Sequence, residues 1–375
     1  MKFMKQASSI RKRLVITVSN NLVTDNRVAK LVHYFDSEGM EVFVLGRNWP
    51  GGALPANRKG QLRRFKLWVN KGPLFYALLN LRMFFWLLGH RFDLVLAVDM
   101  DTLPAAWLGA RLKRRPVFMD SHEFFSESPE LQHRPGVKRI WRNLEKFLLP
   151  RLNGGFTVSP GIVDLYQRLF GVDFDLLRNV PRRPADLLPL RELGAHPVVY
   201  YQGALNVGRG LKEAIRAMTL LPGYKLHIAG SGDEEDVLRE LVKELKLEEH
   251  VVFLGRLPFE ELRAEAAKAH VGLCLLESMG LNYYHSLPNR LFDYPALGLP
   301  IIATNFPDMG RLVQEYNTGL LLDSMEAEVI AAAIRRACED RVLRLQWGKA
   351  LPRIVAELNW EKEAKVLTKL LNYSK

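Results

Sequence analysis

Short apolar runs alternate with amphipathic segments along almost the whole chain, and this alternation limits the fold more than any other feature. RLVITVS, EVFVLGR, FDLVLAVD, PVFMDSH and GGFTVSP read as strands. Between the first two, residues 25–37 carry Val28, Leu31, Val32 and Phe35 at helical spacing. A strand apolar on both faces needs cover on both faces, which a parallel sheet between helical layers supplies. The pattern breaks at residues 178–197, RNVPRRPADLLPLRELGAHP, where four prolines and no clear period mark a linker. It then restarts with PVVYYQG, KLHIAGSG, HVVFLGR, VGLCLLES, PIIAT and TGLLLD, with helices expected at 210–220, 234–245 and 259–268.

The expectation is an α/β protein of two domains, 1–185 and 186–358. A last helix from Trp360, capped by Asn359, returns across 359–375 towards the first domain. Two Rossmann-like domains with facing parallel sheets leave a cleft at the carboxyl ends of their strands, where ligands bind in such folds.

Cys274 and Cys338 form no framework and lack the spacing of metal ligands. The apolar run after Arg13 is too short for a signal-peptide core, and no stretch approaches the ~20 apolar residues of a spanning helix. A cytoplasmic protein is expected. The net charge of +12 is unevenly placed: residues 1–190 hold 30 Lys+Arg against 16 Asp+Glu, the remainder 23 against 25. An excess of +14 in the first half suggests an anionic partner: membrane lipid, an acidic acceptor or nucleic acid. Phe and Trp cluster in one apolar run instead of alternating with cations, which argues against nucleic acid. That run, LFYALLNLRMFFWLL at 74–88, has Arg63, Arg64, Lys66 and Lys71 before it and Arg91 behind. It reads either as a helix in a membrane interface or as one packed on the first sheet; the charge favours an anionic membrane surface.

Candidate chemistry lies at strand ends. YQGALNVGRG, IAGSGDEE and FLGRLPFEE each place backbone amides at a helix start, near Gly203, Gly230, Gly232 and Leu257. Gly203, Gly208 and Gly210 miss the G-x-G-x-x-G spacing, which disfavours a dinucleotide cofactor. Arg209, in the first of these turns, suits a departing diphosphate; the other reading is a solvated arginine. In HSLPNRLFDYPALGLPIIAT, Pro288 fits a first helical turn, so the backbone around Ser286, Leu287, Pro288, Asn289 and Arg290 can face an anion. Asp293, one turn on, can take two vicinal hydroxyls, or simply favour the helix start through the dipole. Pro295 should shorten this helix. Phosphate beside diol describes a nucleotide.

In the first half, DSHE offers His122 flanked by Asp120 and Glu123, as a catalytic group or a structural hydrogen bonder. Asp99-Met-Asp101 resembles a D-x-D metal pair, but Asp101 is read as the cap of the helix after it. Asn20 and Asn21 lie in the first strand-to-helix loop. Arg27 either faces an anionic acceptor or diphosphate, or pairs with Asp25.

The segments TDNRVAKLVHYFDSEGMEVFVL, VDMDTLPAAWLGARLKRRPVFMDSHEFFSE, YQGALNVGRGLKEAI and SLPNRLFDYPALGLPIIAT together resemble the retaining GT-B glycosyltransferases of family 4, in order and over nearly the whole chain. The resemblance implies a nucleoside-diphosphate sugar as donor in the C-terminal domain, with no separate cofactor. It also implies a glycan or lipid-linked acceptor in the N-terminal domain, no required metal, and retention at the anomeric carbon. Asp293 matches the second acid of the E-x7-E element, which binds ribose, and Arg209 the basic residue of the K/R-G turn. His122 resembles the histidine that contacts the transferred sugar, and Asn20 and Asn21 fall where the family approaches phosphate and acceptor. Two positions depart. The first acid falls at His285, with Glu277 upstream as its substitute, and an arginine of the first glycine turn falls at Ala204. The departure at His285 supports a rival expectation, a non-catalytic nucleotide-sugar or glycan binder in a cell-envelope complex.

Overall fold

The computed structural model describes residues 11–49 and 59–373. In the first domain the order is β1 (Arg13–Thr17), α1 (Asn26–Ser37), β2 (Glu41–Arg47), β3 (Gln61–Phe65), α2 (Pro73–Gly89), β4 (Leu94–Val98), α3 (Leu103–Leu112), β5 (Val117–Ser121), α4 (Pro135–Leu148), β6 (Gly155–Thr157), α5 (Pro160–Phe170) and β7 (Asp175–Leu176). The strands form one parallel sheet in the order β3-β2-β1-β4-β5-β6-β7. The second domain runs β8 (Val198–Gln202), α6 (Leu211–Met218), β9 (Lys225–Ala229), α7 (Glu235–Glu244), β10 (Val251–Gly255), α8 (Phe259–Ala266), β11 (Val271–Cys274), α9 (Leu281–Tyr284), α10 (Arg290–Ala296), β12 (Ile301–Thr304), α11 (Pro307–Tyr316), β13 (Gly319–Leu322), α12 (Ala327–Glu339) and α13 (Arg341–Glu357). Its parallel sheet has the order β10-β9-β8-β11-β12-β13. The strand order reverses between β1 and β4 and again between β8 and β11, and ligand crevices of open α/β sheets form at such points.

The sequence expectation missed β3, whose exposed-to-buried alternation differs from the continuous burial of β4 and β5. It is a sheet edge, and Arg63 and Arg64 are the kind of charge that blunts an edge. Asp25 caps α1 by accepting from the Val28 amide, at 2.9 Å. The linker is irregular but pinned: Leu188 donates to Ala296 at 3.3 Å, and Arg191 to Ala267 at 3.1 Å. Its Pro189 carbonyl lies 2.5 Å from where a Cβ on Gly298 would stand, and Gly298 has φ +69°. Only glycine fits there without strain.

Two last helices, α14 (Trp360–Glu363) and α15 (Thr368–Tyr373), cross back to the first domain. Asn359 caps α14 through the Lys362 amide. Trp360 donates to the Pro181 carbonyl at 2.9 Å, Glu363 pairs with Arg178 at 2.6 Å, and Tyr373 stands edge-on to Phe118.

α2 buries Phe75, Leu79, Met83 and Leu87, a stripe at steps of four, against the first sheet. Its other face leaves Leu74, Leu81 and Phe85 more than half exposed. The reading of a helix packed on the first sheet describes the buried face. Among the described residues no helix is long and apolar enough to cross a membrane.

Candidate active site

In the second domain the glycine turns serve first to nest loops. A Cβ on Gly230 would stand 1.8 Å from the Gly203 carbonyl oxygen, and one on Gly232 2.5 Å from the Leu205 carbonyl. One on Gly208 would meet the Met279 sulfur at 2.5 Å. The loops after β8 and β9 therefore pack backbone to backbone, which only residues without a Cβ allow, and side chains following β11 close on Gly208.

This nest presents two guanidinium groups. Arg209 lies over the Tyr283 ring at 4.9 Å, and its Nε is buried without a hydrogen-bond partner. Arg290 is buried beneath Gly203, 4.3 Å from the Tyr201 ring centre. Its Nη1 reaches the Gln202 carbonyl at 3.5 Å, while its Nε and Nη2 have no partner among the described residues. Gln202 Oε1 is unpartnered too, and Gln202 Nε2 donates to Asp293 Oδ2 at 3.2 Å. A buried, unpaired polar group costs ~1–3 kcal/mol, more when charged. Several such atoms gather at and just after the end of β8. Burial pushes the Asp293 carboxyl up to about 6, opposed by Lys30, Gln202 and Arg290. Lys30, which comes from α1 of the first domain, is itself lowered by burial to about 8.

α10 is short, seven residues, with Pro295 in its last turn. The Ser286 amide donates to Tyr283 at 3.2 Å, which corrects the expectation that it faces a phosphate: the chain makes one more turn before α10 starts. Leu287 is buried, Pro288 accepts from the Leu291 amide, and exposed Asn289 accepts from Asn179 of the linker at 3.0 Å. Leu257 is half-buried against the core. Glu277 donates its amide to Gly208 and lines a cavity of about 480 Å³ with Gly208, Lys212 and Glu234. His285, at the position of the missing acid, faces Asp308 at 3.0 Å, and Asp308 in turn accepts from the Gly161 amide of the first domain at 3.1 Å. The position joins the two domains.

The first domain contributes the loops after β1, β4 and β5. His122 Nε2 lies 3.0 Å from Asp120, its Nδ1 3.7 Å from Asp99, and its amide donates to Asp99 at 2.8 Å. Burial disfavours the charged ring, but the two carboxylates outweigh it and hold His122 at about 9. Arg27 corrects an expectation. Its partner is not Asp25 but Asp120, with which it forms a buried, two-pronged pair at 2.5 and 2.8 Å, its third arm on the Leu177 carbonyl. Burial works against the Asp120 charge; Arg27 and His122 overcome it and hold that carboxyl far below its usual range.

Asp101 is not the cap of α3 either: Thr102 occupies that position. Ser19 donates to one Asp101 oxygen and the other is unpartnered. Burial, then Asp99, push it up to about 7. Asn21 closes a local turn, accepting from the Val23 amide, while Asn20 is exposed and donates to Asp25 at 3.3 Å. Glu123 is exposed, and Asn282 of the second domain donates to it at 3.4 Å. Gln202, Lys30 and Asn282 were not foreseen. Nothing local marks them, because their partners lie 91 or more residues away or act only through burial.

Residues 25–182 match the family model described as Glycosyltransferase Family 4, and residues 190–353 the model described as Glycosyl transferases group 1. A GDP-mannose-dependent alpha-(1-6)-phosphatidylinositol monomannoside mannosyltransferase of Mycobacterium tuberculosis is 28% identical over 208 residues, 54% of each chain. O-antigen chain mannosyltransferase B of Escherichia coli is 27% identical over 172 residues, 43% of this chain and 42% of that one. The matched region thus spans about half the length of these curated relatives. Sucrose-phosphate synthase from Thermosynechococcus elongatus superposes with a TM-score of 0.78 at 19% identity, over 96% of this chain and 98% of that one. Anabaena Alr3699/HepE, solved with UDP and glucose, gives 0.76 at 16% identity, over 96% and 100%. At these identities the likeness is one of fold.

Proposed function

The chain belongs to the GT-B glycosyltransferases of family 4, and from that premise we propose that it transfers a sugar from a nucleoside diphosphate, with retention, to a glycan or lipid-linked acceptor at a membrane surface. In this reading residues 186–358 hold the donor and residues 1–185 the acceptor. The observation that carries it is the set of buried, unpartnered donors on Arg209 and Arg290 beside the nested glycine loops.

The diphosphate meets both guanidinium groups, and its negative charge satisfies donors that otherwise sit buried and unpaired. Asp293 accepts from the ribose diol. As the glycosidic bond breaks, charge builds on the departing phosphate, and Arg209 stabilises it where it forms. His122 is protonated below about pH 9, so it donates to a sugar hydroxyl instead of taking a proton. Its Nε2 is committed to Asp120, and Nδ1, 3.7 Å from Asp99 and beyond hydrogen-bond reach of it, is the atom that donates to the sugar. The acceptor hydroxyl then attacks from the face the phosphate leaves and passes its proton to the departing phosphate oxygen.

The half-exposed apolar face of α2, with cations around it, supports attachment to the inner face of an anionic membrane. The rival reading, a non-catalytic binder, draws on His285, which serves the domain contact where the family keeps an acid. Mass spectrometry of the protein with a panel of UDP- and GDP-sugars, followed by NMR of any product, tests both. Donor cleavage with an unchanged anomeric configuration supports the transferase; binding with neither hydrolysis nor transfer supports the binder.

A further inference from the structure

At the other end of the first sheet lies a pocket of about 640 Å³ lined by Arg111, Arg114, Arg115 and Arg151, with Trp107 and Tyr373 as walls. Its position follows from β5. Val117, the first residue of that strand, lines the pocket, while His122 follows its last. Five strand residues at ~3.3 Å each place it ~16 Å from the cleft side. The pocket is therefore separate from the donor and acceptor sites.

Four arginines line it, with few carboxylates opposite them. Arg115 is 3.7 Å from Asp93 in an exposed pair. Among the described residues Arg111, Arg114 and Arg151 have no ion pair, and Arg151 donates to the Phe147 carbonyl. Arg114 takes a left-handed backbone, φ +54°, the conformation that glycine usually supplies at a helix end. This turn keeps the cations together behind α3. Arginine forks match phosphate oxygens, and a cluster of them is an anion site.

The rim says where that anion comes from. Phe147, stacked under Arg151 and edge-on to Trp107, is an apolar ring left 47% exposed. A free anion gains nothing from such a neighbour, whereas a lipid brings an acyl region with its phosphate. We propose that this pocket seats the phosphate ester of an anionic lipid headgroup while Phe147 enters the bilayer. It rests on the membrane part of the reading above and not on catalysis.

The test compares two triple variants with the full-length protein: Arg111→Gln/Arg114→Gln/Arg151→Gln in the pocket, and Arg63→Gln/Lys66→Gln/Lys71→Gln before α2. Each is mixed with vesicles of phosphatidylcholine, with and without phosphatidylglycerol, and with inorganic pyrophosphate. Trp107 fluorescence is read as the difference from a Trp107→Phe protein. The expected result is that the pocket variant binds anionic vesicles at least ~30-fold more weakly and loses the Trp107 change, while the second variant keeps that change. Equal losses in both variants, with Trp107 unaffected, would overturn the pocket and leave membrane attachment standing. A Trp107 response to pyrophosphate but not to vesicles would overturn the lipid as its source. UDP-sugar binding, unchanged in both variants, reports that the fold is intact.

Discussion

Asp120 is held by Arg27 on one side and His122 on the other, with the carboxylate at the centre of a buried relay from α1 to the cleft. Removing one partner of such a pair strands the other. Arg27→Met should therefore cost ~3–5 kcal/mol in chemical denaturation, although the residue lies outside the donor site. His122 is raised above its usual 6.5, so the stability its charge adds is complete below about pH 6.5 and is lost as pH rises through about 9. Turnover should fall along the same limb, and His122→Gln should lower turnover while removing the limb from the pH profile. Asp293 behaves in the opposite sense. Its raised value, about 6, means that burial makes its charge costly, and the ribose contact needs that charge. Donor affinity should decline as pH falls through about 6. Asp293→Asn should weaken binding roughly 10- to 100-fold at pH 8 by calorimetry and flatten the pH dependence.

At the scale of elements, loops and one helix decide what the domains present. Gly230→Ala would push a methyl into the Gly203 carbonyl at a φ of +152°, whereas Gly223→Ala, at φ +85°, meets open space. Thermal melts should show Gly223→Ala costing ~1 kcal/mol and Gly230→Ala clearly more, with donor binding lost only in the second. α2 divides its apolar residues between two jobs. Leu81→Glu/Phe85→Glu should leave the melting temperature nearly unchanged, because both side chains are exposed, and should reduce sedimentation with anionic vesicles. The helix was legible in its apolar run. Which of its faces the sheet covers was not, since every face reads as hydrophobic. The glycines were legible as turns, but their reason for being glycine is a carbonyl from another loop.

Across the whole molecule, the cleft is set by contacts between residues far apart in sequence. Asn282 bonds the Phe124 amide, Asp308 the Gly161 amide, and the last helices bond Arg178 and Pro181. The alternation of strands and helices, the proline-rich break and the cap at Asn359 were all readable, because each is written in neighbouring residues whose periodicity reflects one local geometry. So was the placing of Arg209, His122 and Asp293 at strand and helix ends. The tertiary structure alone decided which charges face the cleft and which are spent inside. Arg27 and Arg290 look alike in sequence, each a cation near the start of a helix. One is neutralised by a carboxylate 93 residues away; the other lies among tyrosines, the Cys274 thiol and a carbonyl, with no carboxylate bound to it, and keeps unpaired donors. A charge becomes available or consumed through burial and the partner opposite it, and both are properties of the packed chain.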